Sequence, residues 1–174
     1  RGIIRKEIGS FRFMWETLRT QTGISCLSES EKSLLMWAHY ANNHRGMCVE
    51  YDLLEINRQL RFTAIPVIYS DSRICFRSIN MDSINQDTYA AFIESLSSKS
   101  PEWSYEKEWR IIRDKAACGD KWNDTKKGAL LDMIPPTSIT LGCQAEESFE
   151  REVLMYCQEN KIRLYKMEKD ESLY

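Results

Sequence analysis

The pattern of apolar and polar positions predicts a chain built from short helices and short strands. Apolar residues three to four positions apart, with capping residues before Leu34, predict helices over Ile3–Leu18, Leu34–Ala41, Leu53–Leu60, Gln86–Ser98 and Glu146–Asn160. Alternating or β-branched runs predict strands over Thr22–Ser28, Gly46–Asp52, Phe62–Tyr69, Glu108–Arg113, Thr137–Leu141 and Ile162–Met167. Pro66 has no amide N–H, so we expect its strand at a sheet edge or a bulge.

These elements predict a mixed α/β chain of the α+β class, with a mostly antiparallel sheet and several short helices. The 174 residues fall within the usual size of one compact domain, and no internal repeat or low-complexity linker divides them. Residues 1–174 are therefore expected to form a single domain. The 5 Trp, 8 Tyr and 6 Phe supply large rings for its core.

Charge and hydropathy exclude a membrane span and give no strong nucleic-acid footprint, although nucleic acid held by a few contacts remains open as a substrate. The formal net charge is −2, and no long basic stripe marks a surface for nucleic-acid phosphates. No run of about 18 apolar residues is present, so the sequence predicts no membrane span. It also has no secretory leader pattern, and we expect a cytoplasmic protein.

The six cysteines are scattered along the chain and form no Cys-x-x-Cys pair. Structural zinc sites usually bring paired ligands at short spacing, and disulfide frameworks usually belong to shorter secreted chains. We therefore expect most of the cysteines to be small buried apolar residues in a reducing compartment, with no structural metal site.

The first polar–aromatic block, Leu35 to Asp52, contains both histidines of the chain. Neutral imidazole can carry a proton or donate a hydrogen bond near pH 7. His39 is therefore a candidate catalytic residue, and Tyr40 and His44 are candidate substrate-binding residues. The alternative is that His39 is a hydrogen-bonded core residue and that His44 caps the helix, at the negative end of its dipole. Gly46 or an Asn is expected to take the left-handed conformation at this helix end.

The second polar–aromatic block, Trp103 to Arg113, carries two carboxylates close to a guanidinium. If the chain is extended from Glu106 onward, Glu106, Glu108 and Arg110 share one face. A carboxylate there is a candidate general base or cation stabiliser, so Glu108 is the candidate catalytic residue, with Glu106 and Arg110 as candidate substrate-binding residues. The alternative is a buried Glu–Arg pair that braces the strand.

Both blocks carry a resemblance to a known family. Its pattern is a Cys-Phe-Ser-like strand, a Leu-Met-Trp-x-His-Tyr-Ala helix, a His-x-Gly turn before a strand ending Glu-Tyr-Asp, and a later Tyr-Glu-Lys-Glu-Trp-Arg segment. The counterparts here are Ser25–Ser28, Leu35–Ala41, His44–Asp52 and Tyr105–Arg110, and Leu141–Gly142 also fits. The chain thus resembles the uncharacterised bacterial proteins called domain of unknown function 2971, over about residues 23–142.

The resemblance implies that a segment is missing before residue 1. Family members normally begin with a Tyr- and Arg-rich strand and an Asn-Asp-Pro-like turn, and the present sequence begins with Arg1. We expect that such a segment can complete the functional site.

The first functional hypothesis is a defence- or toxin-type effector enzyme that acts on a nucleotide, with ADP-ribosyltransferase-like use of NAD. In that chemistry a His or Arg seats the nucleotide, an aromatic ring stacks on nicotinamide, and a strand-borne Glu stabilises an oxocarbenium-like centre. His39, Tyr40 and Glu108 (or Glu106) can take these parts, with Arg110 near a phosphate. NAD is then a substrate, and no resident cofactor is indicated.

Two other functions remain open. The chain can be a non-catalytic binding or regulatory module for a protein partner, because Tyr, Trp and Arg are enriched where binding energy concentrates. It can also be a metal-dependent hydrolase, with ligands from His39, His44, Glu50 and Asp52. On a regular helix, however, two histidines five positions apart point about 140° away from each other.

Overall fold

The computed structural model describes residues 13, 15–60, 63–72, 86–130 and 134–169. The chain divides into two units: unit 1 is Arg1–Leu27 with Ala64–Asp132, and unit 2 is Ser28–Thr63 with Met133–Tyr174. Helices and short, largely antiparallel strand pairs are both present, which confirms the predicted α+β class. The prediction of a single domain over residues 1–174 stays a prediction, and each unit is described by itself.

The helices and strands are short. The helices are α1 (residues 15–20), α2 (Leu34–Tyr40), α3 (Leu53–Leu60), α4 (Gln86–Leu96), α5 (Lys115–Cys118) and α6 (Glu147–Asn160), with 3₁₀ helices at Pro101–Glu106 and Gly119–Lys121. The strands are β1 (Thr22–Ser28), β2 (Met47–Glu50), β3 (Ile65–Pro66), β4 (Ile68–Tyr69), β5 (Ser98–Lys99), β6 (Glu108–Asp114), β7 (Trp122–Asn123), β8 (Gly128–Ala129), β9 (Ser138–Leu141) and β10 (Arg163–Lys166).

The helix predictions agree with the structure where it is described. α2, α3, α4 and α6 begin and end within two residues of the predicted bounds. Of the helix predicted over Ile3–Leu18, the described part is helical, while its apolar positions Ile4, Ile8 and Phe11 lie outside the described residues. Within the described ranges, no helix has the length and apolar character needed to cross a membrane.

Unit 1 contains a three-stranded sheet in the order β1-β6-β3, with β6 at its centre. β3 runs antiparallel to β6, and Ile65 lies opposite Arg110. Pro66 therefore lies on an edge strand, as its missing amide N–H predicts. β4 pairs with β5 in parallel, and β7 pairs with β8 antiparallel. In the core, the ring of Phe92 on α4 meets Trp15 of α1 edge-on, with 5.2 Å between the ring centroids.

The single strand predicted over Phe62–Tyr69 is wrong. Residues 61–62 lie outside the described residues, and the rest forms two strands, β3 and β4, which belong to different sheets. The change of partner occurs at Val67, whose amide donates to the carbonyl of Glu108 at 2.8 Å. The next amide, on Ile68, donates to the carbonyl of Ser97 at 2.7 Å. Local alternation cannot reveal this change, because both partners come from distant parts of the sequence.

Unit 2 is built on a three-stranded sheet in the order β10-β9-β2. β9 pairs in parallel with β10 and antiparallel with β2, and all four of its residues are buried. α6 connects β9 to β10 along the chain. Ile139 and Leu141 on β9 pack with Val153 and Cys157 on α6 to form the apolar core of this unit. Each fully buried large aliphatic side chain contributes roughly 1.5–3 kcal/mol, so burial of this core stabilises the sheet.

The turn between α2 and β2 adopts a run of left-handed residues. Asn42, Asn43 and His44 have φ angles of 49°, 52° and 65°. The prediction of a left-handed Asn is confirmed, whereas Gly46 does not take that conformation. Gly46 is needed for space instead, since a Cβ at this position would lie 3.1 Å from the carbonyl oxygen of Ala41.

A second glycine lets the end of β9 approach this turn. The amide of Gly142 donates to the carbonyl of Gly46 at 2.9 Å, and the amide of Gln144 donates to that of His44 at 3.0 Å. A Cβ on Gly142 would lie 2.1 Å from the carbonyl oxygen of His44. Only a residue without a Cβ allows two backbone segments to come this close.

The cysteines vary more in exposure than predicted. The free thiols in the described part of the chain are Cys26, Cys48, Cys118, Cys143 and Cys157. The prediction of buried apolar residues is confirmed for Cys118 and Cys157, but it is wrong for Cys26, which is exposed. Cys75 lies outside the described residues.

Candidate functional site

The second block enters unit 1 through a 3₁₀ helix and not through a continuous strand. The 3₁₀ helix ends at Glu106, Lys107 is left-handed with a φ of 44°, and β6 begins at Glu108. The strand alternation predicted from Glu106 onward is therefore wrong at its first two residues. The side chains of Glu106 and Glu108 are nevertheless both buried, at 4% and 5% exposed.

Glu108 and Arg110 form a bidentate ion pair on one face of β6, as strand alternation predicts. Arg110 Nε donates to Glu108 Oε1 at 2.8 Å, and Nη2 donates to Oε2 at 3.0 Å. This fork geometry is among the strongest hydrogen-bonded arrangements in proteins. Arg110 Nη1 also donates to the carbonyl of Leu96 at the end of α4. The backbone amide of Glu108 donates to the hydroxyl of Tyr69 at 2.8 Å, which fixes the start of the strand.

Lys99, the last residue of β5, brings a second cation to the two carboxylates. Its Nζ donates to the carboxylate of Glu106 and to Glu108 Oε2, the latter at 3.0 Å. The same Nζ lies 5.0 Å from the ring centroid of Trp103, within the range of a cation–π interaction. We call Lys99, Glu106, Glu108 and Arg110 the charge cluster. Its two negative and two positive formal charges cancel.

Glu108 is held in its ionised form by its hydrogen bonds. Burial by itself raises the pKa of this carboxyl group. Hydrogen bonds from Arg110, from the thiol of Cys26 and from Lys99, together with the charge of Arg110, outweigh burial and lower the pKa from 4.5 to about 2. Glu108 therefore carries a negative charge at neutral pH.

The partners of Glu108 are held in their protonated forms. Burial, followed by the hydrogen bond to Glu108 and its charge, raises the pKa of the Cys26 thiol to about 11. The thiol therefore acts as a hydrogen-bond donor and not as a nucleophile, which would require the thiolate. The hydrogen bond to Glu108 raises the pKa of Arg110. Burial lowers the pKa of Lys99, but its hydrogen bonds to Glu106 and Glu108 outweigh that effect and raise it.

The lowered pKa of Glu108 bears on the two roles predicted for it. An efficient general base has a pKa near the working pH, and a pKa of about 2 is far below it. A fixed ionised carboxylate is suited to stabilising positive charge. The same contacts link β6 to α4 and β5, so the predicted strand brace is also present.

The candidates of the first block lie in unit 2, at the end of α2. Ser33 caps the start of this helix, where its hydroxyl accepts from the amide of Met36 at 3.4 Å. His39 and Tyr40 occupy the last turn, and both side chains are exposed. Their ring centroids are 6.2 Å apart. The alternative of a core histidine is therefore wrong for His39, because Trp37 takes the buried side of this short helix.

His44 is half-buried in the turn that follows the helix. Its backbone amide donates to the carbonyl of Trp37 at 3.1 Å, but the C-cap of α2 is Ala41, so the alternative that His44 caps the helix is wrong. The structure thus places the candidates in two sets: Glu106, Glu108 and Arg110 in unit 1, and His39, Tyr40 and His44 in unit 2.

Glu50 and Asp52, the acidic residues of the metal hypothesis, have partners within unit 2. The carboxylate of Glu50 accepts from the hydroxyl of Ser138 on the neighbouring strand. Asp52 caps α3, where Oδ1 accepts from the amides of Leu54 at 2.8 Å and Glu55 at 3.2 Å. In the part of the chain that the structure describes, no three His, Cys, Asp or Glu side chains are arranged to hold a metal ion.

Unit 2 also contains an open groove of about 700 Å³. Residues of β2, β9 and α6 contribute to its walls, and Tyr51, Phe149 and Tyr156 give it an aromatic lining. Glu152 and Asn160 add polar groups. An apolar concavity with a few polar groups is the usual form of a binding site for a small molecule or a peptide.

Sequence reasoning missed three residues that contact Glu108: Lys99, Cys26 and Tyr69. None of them belongs to the two blocks, and no spacing rule connects them to β6. Only the balance of buried charges could have pointed to one of these residues, Lys99. Two buried carboxylates need more positive charge than Arg110 alone provides, and Lys99 is the cation that precedes the 3₁₀ helix in the chain.

The comparisons with known proteins give one match. No curated protein and no solved structure matches the chain. Residues 36–111 match the model of a family described as "Protein of unknown function (DUF2971)". This segment runs from Met36 in the first block to Ile111 in the second, and it therefore contains both sets of candidate residues. This match confirms the resemblance carried by the two blocks, over residues 36–111 of the chain.

Proposed function

We propose that the chain is an enzyme that acts on a nucleotide, and that Glu108 stabilises positive charge developing on the substrate. One observation carries the proposal. Glu108 is buried at the start of β6, and yet its pKa of about 2 keeps it ionised. A fixed charge in a site of low polarity acts more strongly than it would in water, and it needs no reorganisation when the reaction occurs.

The proposed reaction is ADP-ribosyltransferase-like chemistry on NAD. The bond between the nicotinamide nitrogen and ribose C1′ breaks, and nicotinamide leaves with the bonding electron pair. The ribosyl centre becomes positively charged, which is the charge that an ionised Glu108 is suited to stabilise. A protein side chain or water then forms the new bond at C1′ and releases a proton to solvent. Trp103, with 38% of its surface exposed, places an aromatic ring beside the charge cluster, where the ammonium of Lys99 contacts it.

The binding roles proposed for residues of the first block do not depend on the charge of Glu108. His39 and Tyr40 are exposed and can be reached by a ligand, and the binding role predicted for them and for His44 is a separate proposal for unit 2. A cytoplasmic effector of the defence or toxin type is the setting that fits such an activity, and it forms part of the same proposal. His39→Ala tests this binding role, because it is expected to weaken the binding of NAD by the full chain, measured by calorimetry.

The experiment measures nicotinamide release and label transfer when the full chain is incubated with labelled NAD and a cell lysate. We expect activity from the wild type and a loss of roughly 10²–10³-fold in Glu108→Gln. Glu102→Gln is the matched control, since Glu102 is an exposed residue of the neighbouring 3₁₀ helix. Folding of each variant is checked by its Tm. If the wild type neither releases nicotinamide nor transfers label, the proposal is wrong.

A non-catalytic binding module is the second candidate, and the aromatic groove of unit 2 favours it. Tyr and Trp side chains supply large contact areas at binding surfaces. Tyr156 lines the groove and is half-exposed, so Tyr156→Ser should change binding with little effect on folding. This candidate predicts that Tyr156→Ser weakens capture of a specific partner, and that no preparation releases nicotinamide. If Tyr156→Ser captures the partner as well as the wild type does, the binding-module candidate is wrong.

A further inference from the structure

Lys99 has the most exposed side chain of the charge cluster, and its ammonium lies 5.0 Å from the ring centroid of Trp103. The carboxylates of Glu106 and Glu108 are buried, whereas 21% of the Lys99 side chain remains exposed. The ammonium lies against two carboxylates and the face of an indole ring. Carboxylates and an aromatic face together are the environment in which proteins bind organic cations.

The two cations of the cluster are attached very differently. Arg110 is anchored by a bidentate contact to Glu108 and by a third hydrogen bond to the Leu96 carbonyl. Lys99 ends in a single ammonium group on a flexible four-carbon stem, which can turn into solvent without moving the backbone. Since the four charges of the cluster already cancel, another cation can enter only if Lys99 leaves.

We propose that Lys99 is a displaceable plug, and that its ammonium occupies the position of a cationic group of the substrate. Glu106, Glu108 and the ring of Trp103 then receive a pyridinium cation when Lys99 swings out. The inference rests on the proposed function and deepens it, because it names the substrate as cationic at the group that binds here. It also gives the cluster a closed resting state, in which the plug keeps the two carboxylates from other cations.

The first test is made on the unaltered full chain with 1-methylnicotinamide, a pyridinium cation that cannot donate an ADP-ribosyl group. Acetic anhydride labelling of Lys99 is followed by mass spectrometry. Binding of the cation should expel Lys99 and raise its labelling rate, while Lys115, whose ammonium pairs with exposed Asp124, should be unchanged. A Lys99 labelling rate that does not respond to 1-methylnicotinamide would overturn the proposal.

The second test uses Lys99→Met, which keeps the stem and removes the charge. We expect 1-methylnicotinamide to bind this variant at least about tenfold more tightly than the wild type, by calorimetry or tryptophan quenching. Lys115→Met should bind 1-methylnicotinamide no more tightly than the wild type does. Neither variant should have a higher affinity for neutral nicotinamide. Adding Glu106→Gln to Lys99→Met should abolish the gain. Equal gains for the cation and for neutral nicotinamide would show a simple cavity and contradict a cation site.

These outcomes separate the inference from the proposed function. Neither binding nor labelling requires turnover of NAD. If 1-methylnicotinamide raises the Lys99 labelling rate but no nicotinamide is released from NAD, the cation-binding plug is supported and the proposed transferase function is wrong. Nicotinamide release that depends on Glu108, with no response at Lys99, keeps the transferase and removes the plug.

Discussion

Arg110 and Glu108 stand two residues apart on β6 and are joined by two hydrogen bonds, at 2.8 Å and 3.0 Å, with the carboxylate almost fully buried. Each partner has lost most of its contact with water, and each satisfies the charge of the other. The energetic consequence is asymmetric. Removing one partner leaves a buried charge without its counter-ion. This lowers the free energy of unfolding by far more than the intact pair raises it relative to two apolar side chains of similar size.

The first prediction concerns this asymmetry. Arg110→Ala is expected to lower the free energy of unfolding by about 3–5 kcal/mol, because Glu108 stays buried without its strongest partner. Urea unfolding measures the change. Arg58→Ala is the matched control, because it breaks an Arg–Glu pair on α3 whose side chains are 71% and 40% exposed. That control should lose less than about 1 kcal/mol, and equal losses in the two variants would contradict the account.

The second prediction concerns pH. The pKa of Glu108 is about 2 in the folded chain against an ordinary value of 4.5, so the unfolded chain binds the proton more tightly. The stability that this group contributes is therefore fully present above about pH 4.5 and is lost as the pH falls towards 2. The excess stability of the wild type over Glu108→Gln, measured by urea unfolding, should shrink over that interval. An excess that stays constant or grows as the pH falls would be inconsistent with a lowered pKa.

The third prediction concerns the thiol that donates to Glu108. Because the pKa of Cys26 is raised to about 11, its alkylation by iodoacetamide should be slow at neutral pH although the residue is exposed. Mass spectrometry of the peptide containing Cys26 gives the rate against pH. In Glu108→Gln the pH midpoint of Cys26 alkylation should be lower than in the wild type, because the negative charge of Glu108, which raises the pKa of the thiol, is removed. A wild-type midpoint near the ordinary 9.0 would show that the thiol does not contact the carboxylate.

The fourth prediction concerns the turn in unit 2. Gly142→Ala would place a Cβ 2.1 Å from the carbonyl oxygen of His44, so two backbone segments must separate. We expect a loss of at least about 1–3 kcal/mol in the free energy of unfolding. At Gly128 the nearest atom to an added Cβ is 3.9 Å away, and Gly128→Ala should change stability by about 0.5 kcal/mol or less. Comparable stability of the two variants would show that the close approach is absent.

The sequence predicted those parts of the fold that depend on local pattern. α3 and α6 follow from helical periodicity, and the edge position of Pro66 follows from its missing N–H. The strand predicted over residues 62–69 failed because its second half pairs with β5 and not with β6. That choice depends on which distant strand is available, and alternation carries no information about it.

In the candidate site, too, the sequence predicted only the part that depends on local pattern. Glu108 and Arg110 face each other because residues two apart on a strand share a face. Glu106 joins them by a different route, since the left-handed Lys107 replaces the expected extended backbone. Lys99 and Cys26 come from β5 and β1, and only the folded sheets bring them to Glu108. His39 lies two positions after Trp37 on one short helix and therefore faces away from it, so with Trp37 buried the side chain of His39 is exposed.

The most direct test of the central claim, that Glu108 is a buried and permanently ionised carboxylate, is a titration of its side-chain carboxyl carbon by NMR. The full chain carries ¹³C in its glutamates, and Glu108→Gln assigns the signal. The account predicts that the shift of Glu108 stays at its ionised value as the pH is lowered through 4.5, with a midpoint near 2 or acid unfolding before it is reached. A midpoint at or above 4.5 in the folded protein would contradict the account, and with it the stabilising role proposed for Glu108.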